Sequence, residues 1–270
     1  MATRTPSYRR VVAGYVRRYA FVPRYRDADR MEISAADGTR LAATRLSGPP
    51  DARASVVLVH GLMHSSRNPR IHAFAHRLAR GAHVLVPDLR GHGASGGVCT
   101  LGNKEPLDVD AAVRVAASAG LPVVTVGTSL GGASVLLHAG TFGGVAGAVG
   151  ISSPAWWGAW DTPSTSRIHR YVSTPAGRWF LAHLMRTRLA DRCDAVPDAR
   201  DVVASIAPAF TLVVHDPDDH YFGEAHARTI FEWARHPKDL WWVRGGHATD
   251  ILTPALADRL LDEIAARVGG

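Results

Sequence analysis

VVTVGTSLGGASVLL, residues 123–137, sets a serine between glycines where a valine-rich run gives way to a run of small residues and leucines. The apolar run reads as a strand buried on both faces, and ASVLLHAG after it reads as a helix. A strand that turns this sharply into a helix leaves almost no room for side chains beside the turn. Gly127 and Gly131 therefore leave the Ser129 hydroxyl standing at the carboxyl end of the sheet. The amides that open the helix favour negative charge at the same place. Ser129 is thus a candidate nucleophile, against the plainer reading of a hydroxyl in a tight turn.

The rest of the chain repeats the strand rhythm. SVVLVHG (55–61), HVLVPDLRG (83–91), VAGAVGISS (145–153), FTLVVHD (210–216) and DLWWVRGG (239–246) are short and apolar. Residues 73–81, 108–120 and 226–236 lie between such runs and have helical character, and TPALADRLLDEIAARV (253–268) closes the chain as a helix with Thr253 at its cap and Pro254 at N1. This alternation predicts an α/β fold with a mostly parallel sheet and helices on both faces. RMEISAADGTRLAATRL alternates about Asp37-Gly38 and predicts an antiparallel hairpin at the start of the core. Nearly sixty residues separate 153 from 210, far more than a crossover needs. Residues 155–205 are accordingly expected to form a small helical cap on a core of 31–154 and 206–270. Trp156, Trp157 and Trp160 of this insert are candidates to line an apolar pocket.

A serine hydroxyl needs a base within reach, and the base needs an orienting carboxylate. Among fourteen histidines, His247 follows the last strand, at the sheet edge where catalytic groups of open α/β sheets gather. His138 lies inside the helix after Ser129 and reads as a packing residue. The loop HDPDDHYF offers Asp216, Asp218 and Asp219. Asp216, just before Pro217, reads as a turn former; Asp219 is the preferred acid and Asp218 the second choice. The amides of Leu130 and of Leu62, in VVLVHGLMHSS, are the expected oxyanion donors, with Met63 beside them in the pocket. His60 and His64 lack the cysteines or carboxylates that would complete a metal site, so no metal and no organic cofactor is expected.

Composition narrows the partners. The 31 Lys and Arg residues against 24 Asp and Glu give +7, yet only Lys104 and Lys238 are lysines, and no basic run interleaved with aromatics extends beyond the first thirty residues. Nucleic-acid binding is not expected. Residues 1–30 form a basic arm in which Tyr8, Val11, Val12, Tyr15, Val16 and Tyr19 recur at helical spacing. The first reading is a helix packed on its own globule; membrane contact through residues 1–26 is a lesser alternative. Two cysteines, no long apolar run, and a VVAGYV stretch too short for a signal sequence place the chain in the cytoplasm. Oligomeric state is not legible.

Four pieces in order, His60-Gly61, PDLRGHGAS (87–95), GTSLGG, and the Asp219 and His247 loops 28 residues apart, make residues 31–268 resemble the α/β-hydrolase fold of the lipase, esterase and serine-aminopeptidase-like group. The resemblance implies a sheet of about eight strands and a Ser129-His247-Asp219 triad acting on a small-molecule acyl substrate through an acyl-enzyme. It also makes PDLRGHGAS a structural loop rather than a site for a catalytic His92. Aligned to the group's usual Gly-x-x-Asp, Asp216 stands where that glycine is expected. A carboxylic ester with an apolar acyl or aromatic part is the leading substrate. Thioesterase, lactonase, amidase and acyltransferase share the triad, and a lyase or a non-catalytic binding member is the alternative of another class.

Overall fold

The computed structural model describes residues 28–158, 162–192 and 194–269. The arm at 1–26, Trp160 and Cys193 lie outside the described residues. Strands β1 (Asp29–Ser34), β2 (Arg40–Leu46), β3 (Ser55–Val59), β4 (His83–Pro87), β5 (Val123–Thr128), β6 (Gly147–Ile151), β7 (Phe210–His215) and β8 (Lys238–Trp242) form one sheet in the order β1-β2-β4-β3-β5-β6-β7-β8. β2 runs antiparallel to β1 and β4, and the remaining pairs are parallel. The hairpin turns at Asp37-Gly38 as expected, with Gly38 at φ 81°.

Eight α-helices are described: α1 (Pro69–Leu78), α2 (Glu105–Ala117), α3 (Leu130–Thr141), α4 (Pro163–Ser173), α5 (Pro175–Leu184), α6 (Ala199–Val202), α7 (Glu224–Trp233) and α8 (Pro254–Val268). Several begin earlier than apolar periodicity predicts. For α1 the cause is a cap: the Asn68 carboxamide accepts from the Arg70 and Ile71 amides and Pro69 occupies the first turn.

Alternate residues of the parallel strands face opposite layers. Val56, Leu58, Val124, Val126 and Leu212 pack under α1 and α8 through Ile71, Phe74, Leu78, Leu256 and Leu260. On the other face Val57 and Val59 meet α2, while Ala148 and Val213 meet α3 and α7. Helices therefore shield both faces, which is why these strands read as continuous apolar runs rather than alternating ones.

Within the long insertion, α4 and α5 form a hairpin about Thr174, each with a Pro in its first turn and a threonine cap. Buried Val172 and Leu181 pack with the α2-side core, beside Leu62 and Met63. Two isolated bridges, His92 to Thr187 and Cys99 to Leu189, tie the segment after α5 to the loop after β4. Ala199 and Val203, at the insertion's end, pack against α3 and α7 as part of the outer layer. Among the described residues no helix is long and apolar enough to cross a membrane.

Candidate active site

Ser129 sits in the turn between β5 and α3 at φ 53°, ψ −118°, a conformation an L-residue adopts only at a cost of about 1–3 kcal/mol. Its neighbours explain how the turn is held. A Cβ on Gly127 would collide with the Gly131 backbone, and one on Gly131 with the carbonyls of His60 and Val59. The Ser129 amide donates to the Ile151 carbonyl (2.9 Å), anchoring the turn on β6.

His247, after β8, reaches back to this turn. Its Nε2 lies 3.1 Å from Ser129 Oγ, and its Nδ1 lies 2.7 Å from Asp219 Oδ2. The Asp219 side chain is fully buried, and its other oxygen accepts from the Tyr221 and Phe222 amides (2.8 and 3.2 Å). Burial opposes the charge on Asp219, but the hydrogen bond from His247 and the backbone donor outweigh it and hold the carboxyl below the usual carboxylate range. Rings of Tyr221 and Phe222 pack on the imidazole at 4.4 and 5.6 Å between centroids, limiting its motion. Asp218 takes no part in this chain. Its side chain is 80% exposed and pairs with Arg244.

The loop after β3 closes on the turn from the other side. A Cβ on Gly61 would stand 3.1 Å from the Thr128 carbonyl and 3.2 Å from Ser129 Cβ, so glycine permits this approach and sets Leu62 next to the serine. Met63 follows with φ 63°. His60 fixes the loop from beneath: its Nε2 accepts from the Leu89 amide (3.0 Å), which leaves the proton on Nδ1 to donate to the Gly61 carbonyl (2.8 Å). Both ring nitrogens are thereby engaged with backbone. His92 similarly lies buried against the Arg90 carbonyl (3.0 Å) and the His60 ring. His138 is buried in α3 and stacks on Phe142. Among the described residues no three His, Cys, Asp or Glu side chains are grouped to hold a metal.

The insertion's tryptophans differ in placement. Trp156 stacks on His226 of α7 (3.8 Å) beneath the Arg200 guanidinium, whereas Trp157 packs with the α2-side core near Gly102.

Two residues outside the expected triad hold the His247 loop. Ser152, at φ 49° after β6, accepts from the Ala248 amide through its hydroxyl (3.0 Å). Asp216 accepts from the Gly245 and Gly246 amides through one oxygen (2.7 Å each) and from the Asp218 amide through the other (2.9 Å). No local motif marks Ser152. Asp216 was legible as a turn former before Pro217 and as the residue standing where glycine is usual, and not as a partner of the His247 loop.

The sequence profile of the alpha/beta hydrolase family matches residues 56–269. Among solved structures the chain resembles the esterase Pf2001 of Pyrococcus furiosus, at 18% identity and a TM-score of 0.70 over 90% of this chain and 91% of that one. It also resembles a putative aryl esterase from Burkholderia cenocepacia, at 19% identity and a TM-score of 0.65 over 90% and 100% of the two chains. A third is Est1E from Butyrivibrio proteoclasticus, solved with ferulic acid bound, at 19% identity and a TM-score of 0.64 over 89% and 100%. A search among curated proteins finds no significant match. The profile covers well over half of the chain, on the same strands that carry Ser129, Asp219 and His247, and the chain belongs to the alpha/beta hydrolase family.

Proposed function

We propose that the protein is a serine hydrolase that cleaves carboxylic esters through an acyl-enzyme. The observation that carries this reading is the unbroken hydrogen-bond chain from Asp219 through His247 to Ser129, on a turn that holds the serine in a strained backbone conformation. In the proposed reaction Ser129 Oγ attacks the ester carbonyl carbon as its proton passes to His247 Nε2. Asp219 stabilises the resulting imidazolium. The Leu62 and Leu130 amides take the tetrahedral oxyanion. Collapse breaks the ester C–O bond, and the leaving alkoxide takes the proton from His247. Water, deprotonated by the same imidazole, then releases the acid and restores the serine.

Apolar side chains from the cap and the β3 loop support an apolar acyl or aromatic substrate. Trp157, Ile168, Tyr171, Phe180 and Met185 are half-buried against the same cluster as Leu62 and Met63. The aryl esterase and the ferulic-acid complex among the structural neighbours favour the aromatic option. We further propose residues 155–205 as the cap, and a cytoplasmic location.

The test is fluorophosphonate labelling of wild type, Ser129→Ala and His247→Ala, followed by a panel of aryl and alkyl esters, thioesters and lactones. Labelling should require both residues, and aryl esters should turn over fastest. Absence of Ser129-dependent labelling together with no turnover across the panel would sink the hydrolase reading. Preference for thioesters or lactones would replace the substrate class alone.

A further inference from the structure

We propose that Asp216 is a positioning residue for the His247 loop, a role that rests on the hydrolase reading above. Its side chain is 4% exposed, and its two oxygens face different segments. Oδ1 accepts from the Asp218 amide (2.9 Å), which forms the turn that delivers Asp219. Oδ2 accepts from the Gly245 and Gly246 amides at 2.7 Å each. Those are the two residues immediately before His247. One carboxylate therefore ties the loop bearing the acid to the loop bearing the base.

The glycine pair is the other half of the device. Gly245 has φ 142° and Gly246 φ 101°, a conformation in which two successive amides converge on a single oxygen and which L side chains rarely adopt. Side chains at 245 and 246 would strain the backbone that aims both amides at the Asp216 carboxylate. A glycine at 216, the residue usual there in the resembling group, would leave those two amides without the carboxylate they donate to. Asp216 and Gly245-Gly246 thus act as one tie between the two loops.

Burial opposes the charge on Asp216, and the three amides with nearby Arg244 overcome it, holding the carboxyl below its ordinary range. Asp219 and Asp218 also reach across the same gap, Asp219 to His247 and Asp218 to Arg244. The Arg244 pair lies at the exposed rim, where it contributes little. Without Asp216 the two glycine amides lose their acceptor, and the segment before His247 is left to the bonds on its far side, Asp219 to the ring and the Ser152 hydroxyl to the Ala248 amide. A base displaced by about an ångström costs on the order of a hundredfold in rate.

The experiment compares wild type, Asp216→Gly and Asp216→Asn. In Asp216→Asn an NH2 replaces one acceptor, so either the glycine tie or the Asp218 turn is lost. Three readouts are taken: amide hydrogen exchange across residues 243–251, the downfield proton resonance of His247 Nδ1, and the rate of fluorophosphonate labelling at Ser129 with kcat and KM for an aryl ester. In Asp216→Gly the amides of Gly245 and Gly246 should exchange about tenfold faster or more. The resonance should broaden, and labelling rate and kcat should fall about ten- to hundredfold with KM changed less than about threefold. Asp216→Asn should fall between, and it carries the test if the glycine variant fails to fold. Unchanged exchange at Gly245 and Gly246, or a labelling rate within about twofold of wild type, overturns the proposal. Should wild type itself fail to label, the hydrolase reading falls, while the exchange and resonance data still decide whether Asp216 holds the loop.

Discussion

Asp219→Asn changes one atom in the site, and the surrounding hydrogen bonds dictate how the new side chain must sit. One carboxylate oxygen accepts from the Tyr221 and Phe222 amides, and the other faces His247 Nδ1. An asparagine has one acceptor and one donor end. Placing its NH2 against two backbone donors would leave both unpaired, so the carbonyl must take that side and the NH2 must face the imidazole. His247 then accepts at Nδ1 and carries its proton on Nε2, 3.1 Å from Ser129 Oγ. The lone pair that should receive the serine proton is gone. In the general Ser-His-Asp template this wrong tautomer costs about 10⁴-fold in kcat, about 5.4 kcal/mol of transition-state stabilisation. Asp219→Ala imposes no tautomer, so its loss should be no larger. The assay is kcat and KM for an aryl ester, with fluorophosphonate labelling as a check independent of turnover. An Asp219→Asn enzyme within about tenfold of wild type, or one clearly better than Asp219→Ala, would refute the reasoning.

Other expectations come from the surroundings of the same site. Asp218→Asn removes only the exposed pair with Arg244 at the rim and should leave kcat/KM within about twofold; a tenfold loss would show that the rim pair holds the loops. Gly131→Ala would drive a methyl into the carbonyls of His60 and Val59, which cannot move without disturbing β3. The expected destabilisation is about 3 kcal/mol, a Tm lower by about 6 °C or more in thermal melts. An unchanged Tm would mean that the turn relaxes. Stability should also fall with acid. Burial pushes His60 and His92 down to about 4 from 6.5, so the unfolded chain gains protons that the native chain refuses. Stability is then full above pH 6.5 and is lost as pH falls from 6.5 through 4, by about 2 kcal/mol per histidine at pH 5. A Tm flat between pH 7 and 4.5 would contradict the neutral, buried state of these rings.

How much of this was legible in the sequence depends on how far along the chain each cause lies. The turn at Ser129 has a local cause: a buried strand, two glycines whose side chains would meet backbone, and a helix. So do the strands, whose apolar runs follow from being covered on both faces. The choice between Asp218 and Asp219 does not have a local cause, because adjacent residues on a turn point opposite ways and the sequence does not say which one meets solvent. Three-dimensional placement sends Asp219 inward to His247 and Asp218 outward to Arg244. Trp156 illustrates the same limit. An aromatic in an insertion signals burial against something, and here the partner is His226 on a helix seventy residues away. Asp216 is the instructive case. Its position before Pro217 gave the turn to Asp218, a bond two residues long, but its second oxygen meets amides 29 and 30 residues downstream. That half was still encoded, in the paired glycines before His247. Glycine costs conformational entropy wherever it stands, and here two in succession before His247 expose amides that the Asp216 carboxylate takes up. An acidic residue three positions before the acid, together with a glycine pair directly before the base, is therefore a pattern whose two parts explain each other, and it can be sought in sequence alone.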